Sequence, residues 1–249
     1  MGKTTKKNFR PISILPCVSK VYERLLGDQL NDHFISRNNI LCNLLSGFRK
    51  GYSTQHALQI VIENWKRSLD SKGIVGTILM DLSKAYDCLP HDLLIAKLEA
   101  YGIERKSLKL IYSYLNGRKQ RVKVASHYSS YKQIKIGVPQ GSVLGPLLFN
   151  IFINDLFLNN LQSDLCNFAD DNTLYACGHS FESVVSKLEN DLEKILDWFF
   201  RNNMVANPGK FQFMFLGLKE TEHLGLNING QIIRAGDKVK LLGVTIFKK

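Results

Sequence analysis

The chain has 249 residues, 45% of them hydrophobic, enough for one large domain or two small ones with a real core. A formal net charge of +11 favours a polyanionic partner, and no apolar run is long enough to span a bilayer. Cys17, Cys42, Cys88, Cys166 and Cys177 are widely spaced with no C-x-x-C or Cys/His cluster and no signal peptide. That pattern excludes a disulfide framework and a zinc site, and it points to an intracellular protein with reduced thiols, not a secreted one.

In chain order, residues 1–8 are basic and expected to fray. Gly2-Lys3-Thr4 ends like a phosphate loop but lacks its earlier glycine, and Lys6 breaks a myristoylation pattern. Val18–Phe34 and Thr54–Leu69 read as amphipathic helices. Ile74 to Met80 is a nearly continuous apolar run after Gly73, as in a buried central strand, and Asp81 closes it. His91–Tyr101 should be a helix, with Pro90 at its start and Gly102 past its end, followed by a second over Arg105–Asn116. Gln120–Val124 and Lys132–Ile136 alternate like a hairpin, and its run Arg118-Lys119-Gln120-Arg121-Val122-Lys123 reads as a solvated face able to touch phosphates. Ser142 is placed to cap an apolar helix through Leu147, Leu148, Ile151 and Phe152, leaving free N–H groups suited to phosphate or a base edge. Phe181 to Phe200 carries apolar residues at helical spacing, and Trp65 and Trp198 read as core residues.

Phe168-Ala169-Asp170-Asp171 lies between the short apolar runs Leu165–Phe168 and Thr173–Ala176, as at the tip of a β-hairpin. Neighbouring side chains on extended backbone face opposite ways, so one acid can enter a site while the other turns aside. Asp is also an ordinary turn residue, and Asp81 alone could merely end its strand in solvent. Together, two carboxylates from separate strands suit a pair of Mg²⁺ ions, which prefer hard oxygen ligands and can hold both reacting oxygens of a phosphoryl transfer. In Gly137-Val138-Pro139-Gln140-Gly141-Ser142, two glycines would let backbone approach a ligand closely, although a plain loop-to-helix turn has the same composition.

Asp81-Leu82-Ser83-Lys84-Ala85-Tyr86-Asp87, Gly137 to Ser142 and Phe168 to Asp171 resemble motifs A, B and C of reverse transcriptases, those of non-LTR (LINE-type) retrotransposons above all. Asn8 to Ser13 and Ser46 to Thr54 are similar to the two fingers motifs. Asn207-Pro208-Gly209-Lys210 resembles motif D, and Leu241-Leu242-Gly243-Val244 resembles the start of motif E. Seven motifs in family order cover nearly the whole chain.

The resemblance implies an α+β right-hand polymerase. Fingers would occupy about residues 1–73 and part of 88–135, and a palm with an antiparallel sheet 74–87 and about 136–249. The family's endonuclease and thumb would both be missing, so that the chain would bind template weakly. The implied reaction is primer 3′-hydroxyl attack on the α-phosphate of a deoxynucleoside triphosphate, with an RNA template, a DNA primer and two Mg²⁺ ions, for which Mn²⁺ could substitute. Asp81, Asp170 and the Leu82 carbonyl would be metal ligands, with Asp171 the third catalytic carboxylate. Arg10 would clamp the triphosphate, Gln140 and Gly141 would line the nucleotide pocket, and Tyr86 would be the aromatic gate against ribose. Lys210 would protonate leaving pyrophosphate, although Phe211 stands where the family has a small polar residue. Clustered acids repel one another, so the site is expected to form poorly without cations. A nuclear or cytoplasmic enzyme is the leading reading. A catalytically silent remnant, an intron maturase and a telomerase-like protein are the competing ones.

Overall fold

Strand β1 (Ile74–Asp81) is buried from its first residue to Met80 and surfaces only at Asp81. The computed structural model describes residues 12–82, 84–219, 221, 223–228 and 230–248. Arg10, Gly2-Lys3-Thr4, most of the Asn8–Ser13 motif and Ser83 therefore lie outside the described residues. β1 pairs antiparallel with β7 (Asp171–Gly178) on one side and with β8 (Gln212–Leu216) on the other. With β6 (Asp164–Phe168) they form one antiparallel sheet in the order β6-β7-β1-β8. The expected central strand and antiparallel sheet are both present.

β1 alternates its side chains between two cores, which is why it needs apolar residues on both faces. Ile74, Ile78 and Met80 join the larger core, whereas Val75 and Leu79 meet Val61 and Trp65 of helix α2 (Thr54–Asp70). The larger core includes helix α6 (Phe181–Arg201), whose Val184, Leu188, Leu192, Ile195 and Phe199 are buried at helical spacing. Gly76 lets that helix in. A Cβ there would lie 2.7 Å from Leu188 Cδ1 and 2.9 Å from Val184 Cγ1. Trp65 and Trp198 are buried, as expected of core residues.

Helix α1 (Cys17–Asn31) is extended by a π-helical turn over Asp32–Arg37, which seats fully buried Phe34 edge-on against Tyr101. Helices α3 (His91–Ala100) and α4 (Arg105–Leu115) stand where expected. The single hairpin expected after them is instead two short ladders. β2 (Lys119–Gln120) pairs β5 (Lys132–Gln133), and β3 (Lys123–Val124) pairs β4 (His127–Tyr128). The pairing slips by one residue between them, residues 129–131 facing 121–122, and at the slip the Ser129 Oγ takes the Val122 N–H. Helix α5 (Gly145–Ile153) follows, its apolar residues almost wholly buried.

Beyond α6, two hairpins extend the single expected terminal strand: β9 (Gly225–Ile228) with β10 (Gln231–Arg234), and β11 (Lys238–Leu241) with β12 (Val244–Phe247). Among the described residues no helix is long and apolar enough to cross a membrane.

Candidate active site

Sheet register brings the strand-end acids together. Asp81, last in β1, is the direct Cα partner of Asp171, first in β7. Asp170 sits one residue earlier, in the two-residue Ala169-Asp170 turn between Phe168 and Asp171, which are themselves partners. Ala169 has φ +58°, a left-handed position glycine normally takes at the first site of a type II′ hairpin turn. Leu82 is buried and bridged to Ala206, which fixes the backbone just past Asp81.

Lys210, in the 3-10 turn Pro208–Lys210, joins this cluster: its Nζ is 3.1 Å from Asp81 Oδ2. The backbone N–H of Asn207 also donates to the Asp81 carbonyl at 3.3 Å. The resemblance put Lys210 at the leaving pyrophosphate, and the fold sets its ammonium directly against Asp81. Because the Lys210 and Asp81 side chains are 62% and 36% exposed, this is a surface-type pair worth at most about 1 kcal/mol. Lys210→Ala is therefore expected to tighten divalent-ion binding by no more than about fivefold, checked by titrating Mn²⁺ against both proteins.

The turn that carries Asp170 is over-determined by the start of the second fingers motif and by asparagines that the motifs do not single out. Gly47 lies against it so closely that a Cβ would come 2.4 Å from the Ala169 nitrogen. Leu45 bridges Asn167 in parallel, and the Ser46 N–H donates to the Asn167 carbonyl at 3.0 Å. Three buried asparagines complete the support. Asn167 Nδ2 donates to the Ala169 carbonyl at 2.7 Å and to Asn172 Oδ1 at 3.0 Å. Asn172 Nδ2 donates to the Asp170 carbonyl at 3.3 Å, and Asn150 Nδ2 donates to the Gly47 carbonyl at 2.7 Å. The available signal was an amide inside each apolar run, since a buried amide must find backbone partners.

The loop from Gly137 to Gly145 corrects two expectations. Gly137, at φ +84°, does make a close approach, but to protein: a Cβ would lie 2.7 Å from the Asp87 carbonyl oxygen. Buried His91 Nε2 lies 2.7 Å from the Gly137 carbonyl, and the Gly137 N–H donates to Leu89. Gly141, at φ +92°, faces Ile12 and Ser13, whose N–H donates to the Gln140 carbonyl. Gln140 Nε2 in turn donates to Asp87 Oδ1 at 3.2 Å, tying this side chain to the turn that carries Tyr86.

The N–H groups before α5 are not free for phosphate either. Fully buried Glu23 of α1 accepts them through Oε2, from Val143 at 2.6 Å and from Leu144 at 3.3 Å. Leu144, not Ser142, stands at the N-cap of α5, but the Ser142 Oγ still accepts from the Gly145 N–H at 3.0 Å. Glu23→Ala should cost about 1–3 kcal/mol, because it strands two N–H groups at a buried helix start; denaturant unfolding would read the loss.

Tyr86 stacks on Phe149, with ring centroids 4.7 Å apart and planes 26° apart, and meets Phe48 edge-on at 6.2 Å. Its hydroxyl is buried with no hydrogen-bond partner among the described residues. Burial, and then the Asp170 carboxylate, push the phenol well above its ordinary pKa, so it stays protonated.

Among the described residues, no three His, Cys, Asp or Glu side chains already converge as a metal-binding group. Asp81, Asp170 and Asp171 nevertheless fit a hard divalent cation in kind: they offer only carboxylate oxygens, Asp81 and Asp171 on two paired strand ends and Asp170 in the adjoining turn. Asp81, Asp171 and Lys210 line a cleft of about 350 Å³ with Gln212, Lys240 and Leu242. A larger hollow of about 720 Å³ runs along α6 and β9 and includes none of the expected site residues.

Residues 1–246 match the family described as reverse transcriptase (RNA-dependent DNA polymerase). A probable RNA-directed DNA polymerase from transposon BS of Drosophila melanogaster is 30% identical over 98% of this chain and 28% of its own length. The RNA-directed DNA polymerase from mobile element jockey of Drosophila funebris is 29% identical over 96% of this chain and 27% of its own length. The chain thus spans little more than a quarter of these relatives. Among solved structures, apo telomerase from Candida tropicalis aligns with a TM-score of 0.54 at 13% identity, over 92% of this chain and 40% of that one. That likeness shows a shared right-hand polymerase fold. The strand-end aspartates, their antiparallel sheet and the match along almost every residue lead to one assignment: the chain belongs to the reverse transcriptase family, among those of non-LTR retrotransposons.

Proposed function

We propose that this chain is the nucleotide-adding core of an RNA-directed DNA polymerase, extending a DNA primer on an RNA template inside the cell. The observation that carries the reading is the register that sets Asp81 beside Asp171, with Asp170 in the adjoining turn. In this reading residues 74–87 and about 136–249 form the palm, and about 1–73 with part of 88–135 form the fingers.

In the reaction, the primer 3′-oxygen forms a bond to the α-phosphorus of the incoming deoxynucleotide while the bond from that phosphorus to the β-phosphate bridging oxygen breaks. Asp81 and Asp170, with the Leu82 carbonyl, would hold two Mg²⁺ (or Mn²⁺) ions, and Asp171 adds the third carboxylate. Such ions, when bound, stabilise charge on the attacking and leaving oxygens. Lys210 stands beside Asp81, where its ammonium can give a proton to departing pyrophosphate. Gln140, oriented by Asp87, and Gly141 line the nucleotide pocket, and Arg10 clamps the triphosphate.

Tyr86 is the sugar gate in this scheme. Its ring is clamped by Phe149 and Phe48, so it cannot swing aside for a 2′-hydroxyl. Tyr86→Ala should raise ribonucleotide use relative to deoxyribonucleotide use by roughly tenfold or more, about 1.4 kcal/mol of discrimination. Tyr86→Phe should keep the preference, because the hydroxyl it removes has no partner among the described residues. Competitive single-nucleotide insertion measures both; an unchanged preference in the alanine variant would make Tyr86 a packing residue only.

The function itself is tested by Mg²⁺-dependent extension of a DNA primer annealed to RNA, with Asp170→Asn as control. Extension by the wild type alone is expected. Equal extension by both proteins would defeat the assignment.

A further inference from the structure

Nine of the chain's 33 Lys and Arg, and none of its 22 Asp and Glu, fall between residues 105 and 154. These 50 residues therefore carry +9 of the formal net charge of +11. Six of the nine basic residues lie on or beside the double hairpin β2 to β5: Arg118, Lys119, Arg121, Lys123, Lys132 and Lys135. No ion pair neutralises any of them among the described residues.

The hairpin is ordered by its own contacts. Ile134 N–H donates to the Arg118 carbonyl at 2.8 Å, and Ser129 bonds Val122 through both its N–H and its Oγ. The Arg121 guanidinium sits over the rings of Tyr128 at 4.0 Å and Tyr131 at 4.9 Å, while Lys123 Nζ lies 5.4 Å from Tyr128. Both tyrosines remain more than half exposed. A guanidinium held on aromatic faces keeps its in-plane N–H fork for an incoming anion and loses little entropy in meeting one.

Its place in the chain gives the surface a purpose. β5 leads directly into Ile136, bridged to Pro90, and into Gly137, whose N–H is held by Leu89. The loop of Gln140 and Gly141 begins three residues later.

We propose that the 118–135 hairpin is a nucleic-acid backbone clamp, with Arg118, Arg121 and Lys123 binding successive phosphates of the template–primer duplex. This placement rests on the polymerase reading above. Phosphate contact without base contact suits a polymerase, which must hold any sequence. The exposed Val122 and Val124 beside these charges could equally serve an anionic membrane, but a membrane would not account for the rigid link to the nucleotide loop.

The test compares the wild-type chain with Arg118→Ala/Arg121→Ala/Lys123→Ala and, separately, Lys119→Glu. The probes are an RNA–DNA hybrid, the same sequence as single-stranded RNA, and vesicles containing phosphatidylserine, each over a salt series. Each lost phosphate contact removes roughly 0.7–0.9 from the slope of log affinity against log salt, so the triple variant should lose about 2–3 from its slope on the hybrid. Its affinity near physiological salt should fall at least about tenfold, with Lys119→Glu weakened in the same direction. A larger loss on hybrid than on single strand places the contact on duplex; the reverse places it on the template strand ahead. Hybrid binding by the wild type with an unchanged slope in both variants overturns the clamp alone. Failure of the wild type to bind hybrid overturns the clamp and the polymerase reading together. Vesicle binding that is stronger than hybrid binding and lost in the triple variant replaces the clamp with a membrane contact.

Discussion

Asp170→Ala is expected to lower primer extension by at least about 1000-fold, roughly 4 kcal/mol of transition-state stabilisation, with Asp81→Ala doing the same. Asp81 closes β1 opposite Asp171, and Asp170 sits in the adjoining turn, so each variant removes one carboxylate of that cluster. Affinity for an RNA–DNA hybrid should stay within about twofold, because binding rests on many dispersed basic contacts. Asp81→Ala has one further consequence, since it also releases Lys210 from its ion pair. Single-turnover extension and salt-controlled binding, measured on the same preparations, separate the two effects. Turnover near wild type in either variant would remove the carboxylates from the chemistry.

Gly47→Ala should be nearly as damaging without touching a reacting group. The added Cβ would stand 2.4 Å from the Ala169 nitrogen and 2.9 Å from its Cα, both backbone atoms of a turn already strained at φ +58°. Neither neighbour can rotate away, so the Asp170 turn must shift. A displacement of about 1 Å at a reacting centre can cost about 100-fold in rate. The expected result is therefore extension reduced by about 100-fold in a protein that still folds and still binds hybrid, read by thermal unfolding and extension together. Full activity with normal stability would show that the turn tolerates repositioning.

The sequence carried the site's acids and its sheet because both are periodic or local features. The apolar run from Ile74 to Met80 after Gly73 reads as a buried strand, and the turn expected at the polar pair Asp170-Asp171 falls one residue earlier, at Ala169-Asp170, so that Asp171 opens β7. Less legible was what holds those acids. Gly47 and Asn167 are far apart in sequence and are brought together by the parallel bridge at Leu45 and the backbone bonds beside it, which no local pattern encodes. Glu23 falls inside the amphipathic helix expected over Val18–Phe34, where no local pattern marks it out, yet it is buried as the acceptor at the start of α5, more than a hundred residues away. Of the glycines in the Gly137–Gly141 loop, Gly137 does make a close approach, but to the backbone of Asp87. The β9–β10 hairpin was missed despite Asn229-Gly230, a strong two-residue turn signal between short strands. The break between the two short ladders was beyond reach, since one extra residue on the returning strand leaves the alternation of each short strand unchanged.

Binding of a divalent ion by Asp81 and Asp170 is most directly measured by electron paramagnetic resonance of Mn²⁺ titrated into the chain with primer–template and deoxynucleotide present. The wild type should deplete the free Mn²⁺ signal with saturable binding. Asp81→Asn and Asp170→Asn should each weaken that binding at least about tenfold, 1.4 kcal/mol or more. Mn²⁺ binding of equal strength in the wild type and both variants would contradict a metal site at Asp81 and Asp170.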